Sequence, residues 1–422
     1  MNFRAFLIFV FVLLPNVCFA DGINSGDTAW MLVSSVLVLF MTIPGLALFY
    51  GGMVRKKNIL SLSMQAFATA CIISLLWFFV GYSLCFTEGN AFLGDLTNIA
   101  LNKLSINSLS DTIPESLFVM FQMTFAIIAP VIIVGAVVER VKFSALILFL
   151  SLWSILVYCP ICHWVWGPDG WLDSLGVLDF AGGDVIHINA GIAGLVAAMV
   201  LGPRYNYKKD NMSPHNLIYA VIGGALLWIG WFGFNAGSAA TAGKAAAMAM
   251  LVTQIATAAA GVTWMFIEWY IHKKPSLLGI ISGCVAGLVA ITPAAGFVDP
   301  VGGLFTGIFG SAGCYWGVTV LKRKLNIDDS LDCWGIHGIG GIIGAITTGI
   351  FACKSIGGTP GLLEGNFMQV PIQLVGVLSS IFYSGIVSYI ILKVIDKMLG
   401  FRVALDDEQL GLDLSCHDEK LG

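Results

Sequence analysis

The segment Leu178–Leu195, L-D-F-A-G-G-D-V-I-H-I-N-A-G-I-A-G-L, places the carboxylate of Asp179 and the imidazole of His187 at the start of a mostly apolar run. Gly191 and Gly194 follow His187 by four and seven residues, so a helix would place all three on one face. An ionisable side chain inside a membrane span usually has a function. The segment therefore predicts a functional histidine at the head of a glycine stripe.

The same spacing returns downstream in L-D-C-W-G-I-H-G-I-G-G-I-I-G. Here Asp332 lies just ahead of His337, and Gly341 and Gly344 follow the histidine by four and seven residues. The repeated pattern indicates an internal repeat that supplies one histidine from each half. We therefore expect a membrane transporter or channel whose pore is lined by His187 and His337.

The composition excludes a water-soluble protein. Of 422 residues, 58% are hydrophobic and only 11% are charged, whereas soluble domains carry about 25% charged residues. The C-P-I-C at Cys159 and Cys162 could indicate a redox or metal site, but no second cysteine pair accompanies it, which favours packing. The sequence predicts no cofactor, no metal site and no binding of nucleic acid.

Residues 1–20 resemble a secretory signal, with Arg4 ahead of an apolar core and Cys18-Phe19-Ala20 as the cleavage site; an uncleaved first span is the alternative. The sequence then predicts an all-α integral membrane protein, with eleven transmembrane helices in residues 21–396 and a cytoplasmic tail in residues 397–422. The predicted spans are 28–50, 58–81, 114–137, 143–161, 185–201, 216–234, 247–270, 277–295, 301–321, 335–352 and 370–394.

The distribution of lysine and arginine supports this count. With an external N-terminus, 17 of the 21 basic residues fall on the cytoplasmic side, and only Lys103, Lys244 and Lys354 fall on the external side. Eleven spans divide into two repeats of five, about 28–201 and 216–352, plus an eleventh helix at about 370–394. An odd number of spans per repeat inverts the second repeat, and inverted repeats place a shared site near the bilayer midplane.

Seven motifs, in order along the chain, resemble the ammonium transporter family (Amt/Mep/Rh), most closely its bacterial Amt branch. They are F-M-T-I-P-G-L-A-L-F-Y-G-G (40–52), F-Q-M-T-F-A (121–126), C-H-W-V-W-G (162–167), L-D-F-A-G-G with H-I-N-A-G (178–191), W-F-G-F-N-A-G-S (231–238), I-T-P-A-A-G (291–296) and H-G-I-G-G (337–341).

This resemblance implies roles for individual residues. Trp166, Phe125 and Ser238 match an external ammonium recruitment site, and Asp179 matches an aspartate near it. Phe125 and Phe234 match two stacked rings that close the pore below. The remaining matches are the twin pore histidines, His187 and His337, and the pore-bordering residues Trp231 and Thr292.

Elementary physics is consistent with these roles. An indole face attracts a small cation by about 0.5–2 kcal/mol, and a serine hydroxyl accepts an N–H bond. Moving an ion into an apolar lumen costs several kcal/mol, which neutral ammonia avoids. Deprotonation would therefore exclude potassium, which has no proton to lose. Two neutral imidazoles in contact could pass ammonia onwards or carry its proton separately.

The resemblance also implies a homotrimer in the bacterial inner membrane, with one pore per subunit, that serves nitrogen uptake. Its tail would be cytoplasmic and would help to dock a trimeric regulator of the PII type. Three alternatives remain at this stage: a passive ammonia channel of the Rh type, an ammonium sensor, and an intramembrane hydrolase that uses Ser238, His187 and Asp179. The last lacks a nucleophile elbow such as G-x-S-x-G.

Overall fold

The computed structural model describes residues 22–421; the predicted signal segment, residues 1–20, lies outside them. Within the described residues, ten helices are long and apolar enough to cross a membrane, and Leu277–Ile291 is a shorter apolar helix. Together they match the eleven predicted spans. The helices are α1 (Ser25–Met53), α2 (Lys56–Phe86), α3 (Glu115–Val137), α4 (Phe143–Leu175, interrupted at 167–170), α5 (Gly183–Leu201), α6 (Leu217–Gly237), α7 (Lys244–His272), α8 (Leu277–Ile291), α9 (Pro300–Leu325), α10 (Trp334–Phe351) and α11 (Gln369–Leu399).

Short elements join these helices. Two antiparallel hairpins lie between α2 and α3, formed by β1 (Gly89–Asn90) with β2 (Leu93–Gly94) and by β3 (Leu109–Ser110) with β4 (Ile113–Pro114). The tail after α11 contains α12 (Leu405–Leu410) and α13 (Leu412–His417). Single turns of helix occur at Ile99–Leu101, Lys354–Gly357 and Leu362–Glu364.

The two glycine stripes allow α5 of the first half and α10 of the second half to pack against each other at very short distance. A side chain on Gly191 would overlap the backbone of Gly338 in α10. Reciprocally, a Cβ on Gly341 would lie 2.9 Å from Ile188 Cγ1 and 3.1 Å from His187 Cβ in α5. Small residues allow helices to approach this closely within a membrane. The glycines of each helix therefore leave room for the segment of the other helix that contains its histidine.

The first turns of α5 and α10 are both widened to π-helical geometry, at Gly183–Ile188 and Trp334–Gly338. Each widened turn contains the histidine of its half. Single π-helical turns within α-helices often occur at functional sites. The matched position of the two turns agrees with the internal repeat predicted from the sequence.

The tail folds back against the membrane domain. The Leu412 amide donates to Asn58 Oδ1 at 2.9 Å, and the Ser61 amide donates to Asp413 Oδ1 at 2.7 Å, so both contacts lie at the start of α2. Glu408, 1% exposed, forms an ion pair with Arg402 at 2.7 Å. These contacts fix the tail to the face of the protein at which α2 begins.

Candidate transport pore

A vestibule of about 320 Å³ opens at one face of the bundle. Trp166 and Ser238, both predicted from the sequence, contribute to its lining. The indole of Trp166 donates to the Asp179 carbonyl at 2.9 Å and meets the Phe125 ring edge-on, with centroids 6.0 Å apart. The other lining residues are Phe86, Phe118, Gln122, Val165, Asp173 and Phe180.

Two stacked phenylalanine rings lie between Trp166 of the vestibule and His187. Phe125 of α3 and Phe234 of α6 stack with centroids 4.3 Å apart and planes inclined by 21°, and both are buried. Ser238, one turn beyond Phe234, donates its hydroxyl hydrogen to the Phe234 carbonyl at 2.9 Å. Its oxygen lone pairs therefore remain available to accept a hydrogen bond from a molecule in the vestibule.

The two predicted histidines meet below these rings. Their Nδ1 atoms lie 3.2 Å apart, and the planes of the two imidazoles differ by 24°. Both side chains are buried. A hydrogen bond between two Nδ1 atoms needs one hydrogen, so a neutral pair has one donor and one acceptor on the facing nitrogens. Geometry alone thus brings His187 and His337 together as a single unit.

The histidine pair continues the row of stacked aromatic rings. His187 stacks on Phe234 with centroids 5.9 Å apart and on Trp231 with centroids 5.4 Å apart. The indole of Trp231 donates to the Thr292 hydroxyl at 2.9 Å, which fixes the ring beside His187. Ring contacts thus run without a break from Trp166 through the two phenylalanines to the histidine pair.

Asp179 occupies a structural position at the start of α5. Its carboxylate accepts the backbone N–H groups of residues 182–185 at 2.6–3.2 Å, and it is 6% exposed. Burial raises the pKa of Asp179, while these four hydrogen bonds act in the opposite direction. The carboxylate thus caps the widened turn that contains His187, and it is not among the residues that line the vestibule.

The counterpart of Asp179 in the second half is Asp329. The sequence pattern had singled out Asp332, but Asp332 is only partly buried and pairs with Lys322 at 2.7 Å. Asp329 is 1% exposed, accepts the Cys333 and Trp334 amides at 3.0 and 2.7 Å, and its pKa is raised to about 6 by burial. It precedes His337 by eight residues, the distance that separates Asp179 from His187, and this spacing could have identified it.

Two further residues, one beside Phe125 and one in the vestibule, were not singled out from the sequence. Phe121 lies one turn before Phe125, and their ring centroids are 4.8 Å apart. Gln122 lines the vestibule, and its amide oxygen is buried without a hydrogen-bond partner among residues 22–421. An unpaired acceptor at this place is suited to an N–H donor such as ammonium. Both residues belong to the motif F-Q-M-T-F-A, within which only Phe125 had been assigned a role.

Comparison with known proteins agrees with this architecture. The family model "Ammonium Transporter Family" matches residues 29–421. An ammonium transporter of Bacillus subtilis is 50% identical over 401 residues, which cover 94% of this chain and 98% of that protein. The crystal structure of Candida albicans Mep2 superposes with a TM-score of 0.85 at 37% identity, covering 92% of this chain and 88% of that one.

A further solved structure, described as a sensor Amt protein, superposes with a TM-score of 0.85 at 28% identity and covers 93% of this chain and 98% of that chain. The fold is thus common to relatives described by different functions. The family model, in contrast, spans nearly the whole chain, and half of the residues are identical in a bacterial transporter. On this evidence the protein is a member of the ammonium transporter family.

Proposed function

We propose that this member of the family recruits ammonium in the vestibule, deprotonates it, and conducts ammonia past the stacked phenylalanines and the histidine pair. In this proposal Trp166, Phe125 and Ser238 bind the cation, with Asp179 supporting the site from its capping position. Phe125 and Phe234 form the gate. His187 and His337 line the pore and carry the proton separately, so that the net transport is of ammonium.

The observation that carries the proposal is the closed aromatic stack directly above a buried histidine pair. A cation held between these rings would lose its hydration without gaining a counter-charge, which costs several kcal/mol. Ammonia has no such cost and is small and neutral. The indole face of Trp166 and the free lone pairs of Ser238, by contrast, favour the cation in the vestibule.

The proposal also covers location and partners. The protein would reside in the bacterial inner membrane as a homotrimer, with the vestibule outside and the tail in the cytoplasm, and would serve nitrogen uptake. A trimeric regulator of the PII type would dock on the cytoplasmic face. The ordered tail supports this view, because α12 and α13 present a defined surface rather than a loose segment.

Purified protein in liposomes on a supported membrane should produce a charge movement after an ammonium pulse and none after a potassium pulse. The reason is that only ammonium can leave its proton outside the apolar lumen. A rise in lumenal pH without charge movement would instead favour a passive ammonia channel of the Rh type. A protein that responds in neither assay would contradict transport and favour the sensor function.

Deletion of residues 405–422 should weaken binding of a purified PII-type regulator at least about 10-fold, equivalent to about 1.4 kcal/mol. The deletion removes α12 and α13 together with their contacts to the start of α2. Titration calorimetry or surface plasmon resonance would measure the change. Asp111→Asn, an exposed carboxylate before α3, is the control variant, and equal affinities for native and truncated protein would exclude a role for the tail.

A further inference from the structure

The eleventh helix carries a buried polar stripe on its face towards α5. Gln373, Ser380, Ser384 and Ser388 are all 0% exposed, and the three serines follow one another at intervals of four residues. Side chains four residues apart lie on the same face of a helix, about 5–6 Å from one another. A continuous row of hydroxyl groups within a membrane-spanning bundle is costly to bury unless it has partners.

The stripe faces a carboxyl group that the proposed function does not use. Asp184, in the widened first turn of α5, is 0% exposed, and neither of its carboxyl oxygens has a hydrogen-bond partner within the described part of the chain. Its Oδ2 lies 3.4 Å from the position that a Cβ of Gly376 would occupy, so the group is directed at α11. The Ser380 hydroxyl is close enough to act on the same carboxyl group, and within residues 22–421 it has no other hydrogen-bond partner.

The surroundings of Asp184 disfavour a charged carboxylate. Among residues 22–421, no lysine, arginine or histidine forms an ion pair with it, and the nearby charged group that acts on it is the carboxylate of Asp179. Two carboxyl groups at close range do not readily ionise together. Asp179 receives four backbone N–H bonds, whereas no backbone amide of the described residues donates to Asp184.

Further polar atoms extend this site along α11. The Ser384 hydroxyl donates to the Asn189 carbonyl at 2.9 Å, and the side-chain oxygen of Asn189 and the hydroxyl of Ser388 have no partner in the described residues. Buried polar groups left unpaired by protein are usually satisfied by ordered water. Serine hydroxyls about 5–6 Å apart are close enough for single waters to bridge them.

We propose that Asp184 holds an exchangeable proton and passes it along the serine stripe between α5 and α11 during transport. This inference rests on the proposed function and adds a proton site in series with the histidine pair, so that loss of either one interrupts proton transfer. The O–H bond of Asp184 breaks, and its proton moves along the hydroxyl row to water at the end of α11 that precedes the tail. The carboxylate is then reprotonated by the proton released when an N–H bond of ammonium breaks, and the electron pair of that bond stays on nitrogen as ammonia.

Infrared difference spectroscopy tests the site without requiring transport. The infrared spectrum of the native protein minus that of Asp184→Asn should show the carbonyl stretch of one protonated carboxylic acid. This band should shift in D₂O because the carboxyl group of Asp184 exchanges its proton. Asparagine preserves the shape and the neutral state, so folding should be retained. Absence of the band, or a band that D₂O leaves unchanged, would overturn the proposal.

The role in transport is tested on the supported membrane. Asp184→Asn should reduce the charge moved by an ammonium pulse at least tenfold, and Ser380→Ala should reduce it to a smaller extent, with the control Asp111→Asn unchanged. If Asp184→Asn moves as much charge as the native protein after an ammonium pulse, the proposed role of Asp184 is overturned, whereas the proposed function of the protein is not. A native protein that moves no charge would instead contradict the proposed function, while the infrared band would still report on the proton site.

Discussion

Ammonium-evoked charge movement should fall about 30-fold or more when His187 is replaced by alanine, which corresponds to about 2 kcal/mol in the barrier. The two imidazoles are each other's hydrogen-bond partner at 3.2 Å. Loss of one ring leaves the other with a buried unpaired nitrogen, at a cost of about 1–3 kcal/mol. It also interrupts any proton transfer through the pair. His337→Ala should have the same effect, because the pair acts as a unit.

The supported-membrane assay measures this change, with potassium as the second test ion. His272→Ala is a suitable control, since His272 ends α7 away from the pore and contacts the Tyr315 hydroxyl. A potassium current in either pore variant would still agree with the proposal, because removal of an imidazole opens space for a hydrated ion. A native-sized current that remains selective for ammonium would contradict the histidine relay.

A second large effect is expected from Gly191→Val, which should prevent recovery of folded protein. Any side chain at this position overlaps the backbone of Gly338, and backbone cannot rotate away as a side-chain tip can. Overpacking typically costs about 1–3 kcal/mol and occasionally more, and here α5 and α10 would both have to move. Gly191→Ala should be milder but should still lower the unfolding temperature in detergent.

The matched control is Gly385→Ala in α11, where the added methyl group would lie 3.5 Å from Ile192 Cγ2, an ordinary contact. Thermal unfolding followed by tryptophan fluorescence, together with the yield of monodisperse protein from size exclusion, would measure both variants. Equal unfolding temperatures for Gly191→Ala and Gly385→Ala would show that the close approach of the two halves is not required for stability.

The sequence was sufficient to predict the spans and the contact between His187 and His337. Long apolar runs and the uneven distribution of basic residues can be read directly from the sequence. The H-x-x-x-G-x-x-G spacing occurs twice and places each histidine on the same helix face as its glycines. The predicted eighth span, 277–295, is too long, because α8 ends at Ile291 and residues 292–296 form turns that include Pro293. Proline lacks the N–H that a continuing helix would need.

Other features depend on tertiary contacts that no local pattern contains. Asp329 and Asp332 are both carboxylates close to His337, and only the fold shows which of them is buried against the backbone amides. The serines of α11 resemble ordinary small residues in an apolar helix until α5 is placed against them. Likewise, Asp184 adjoins the predicted site in sequence, but its direction towards α11 could not be deduced from spacing.

The interlocked glycine stripes restrict how substrate can cross the membrane. Many transporters work by alternating access, in which one half rocks against the other around a central site. Here the backbones of α5 and α10 are in close contact at Gly191 and Gly338, with each histidine segment fitted against the opposite half, so rocking would have to separate two tightly packed helices. This packing therefore favours a cycle in which side chains such as the two stacked phenylalanines move while the two halves of the protein keep their relative position.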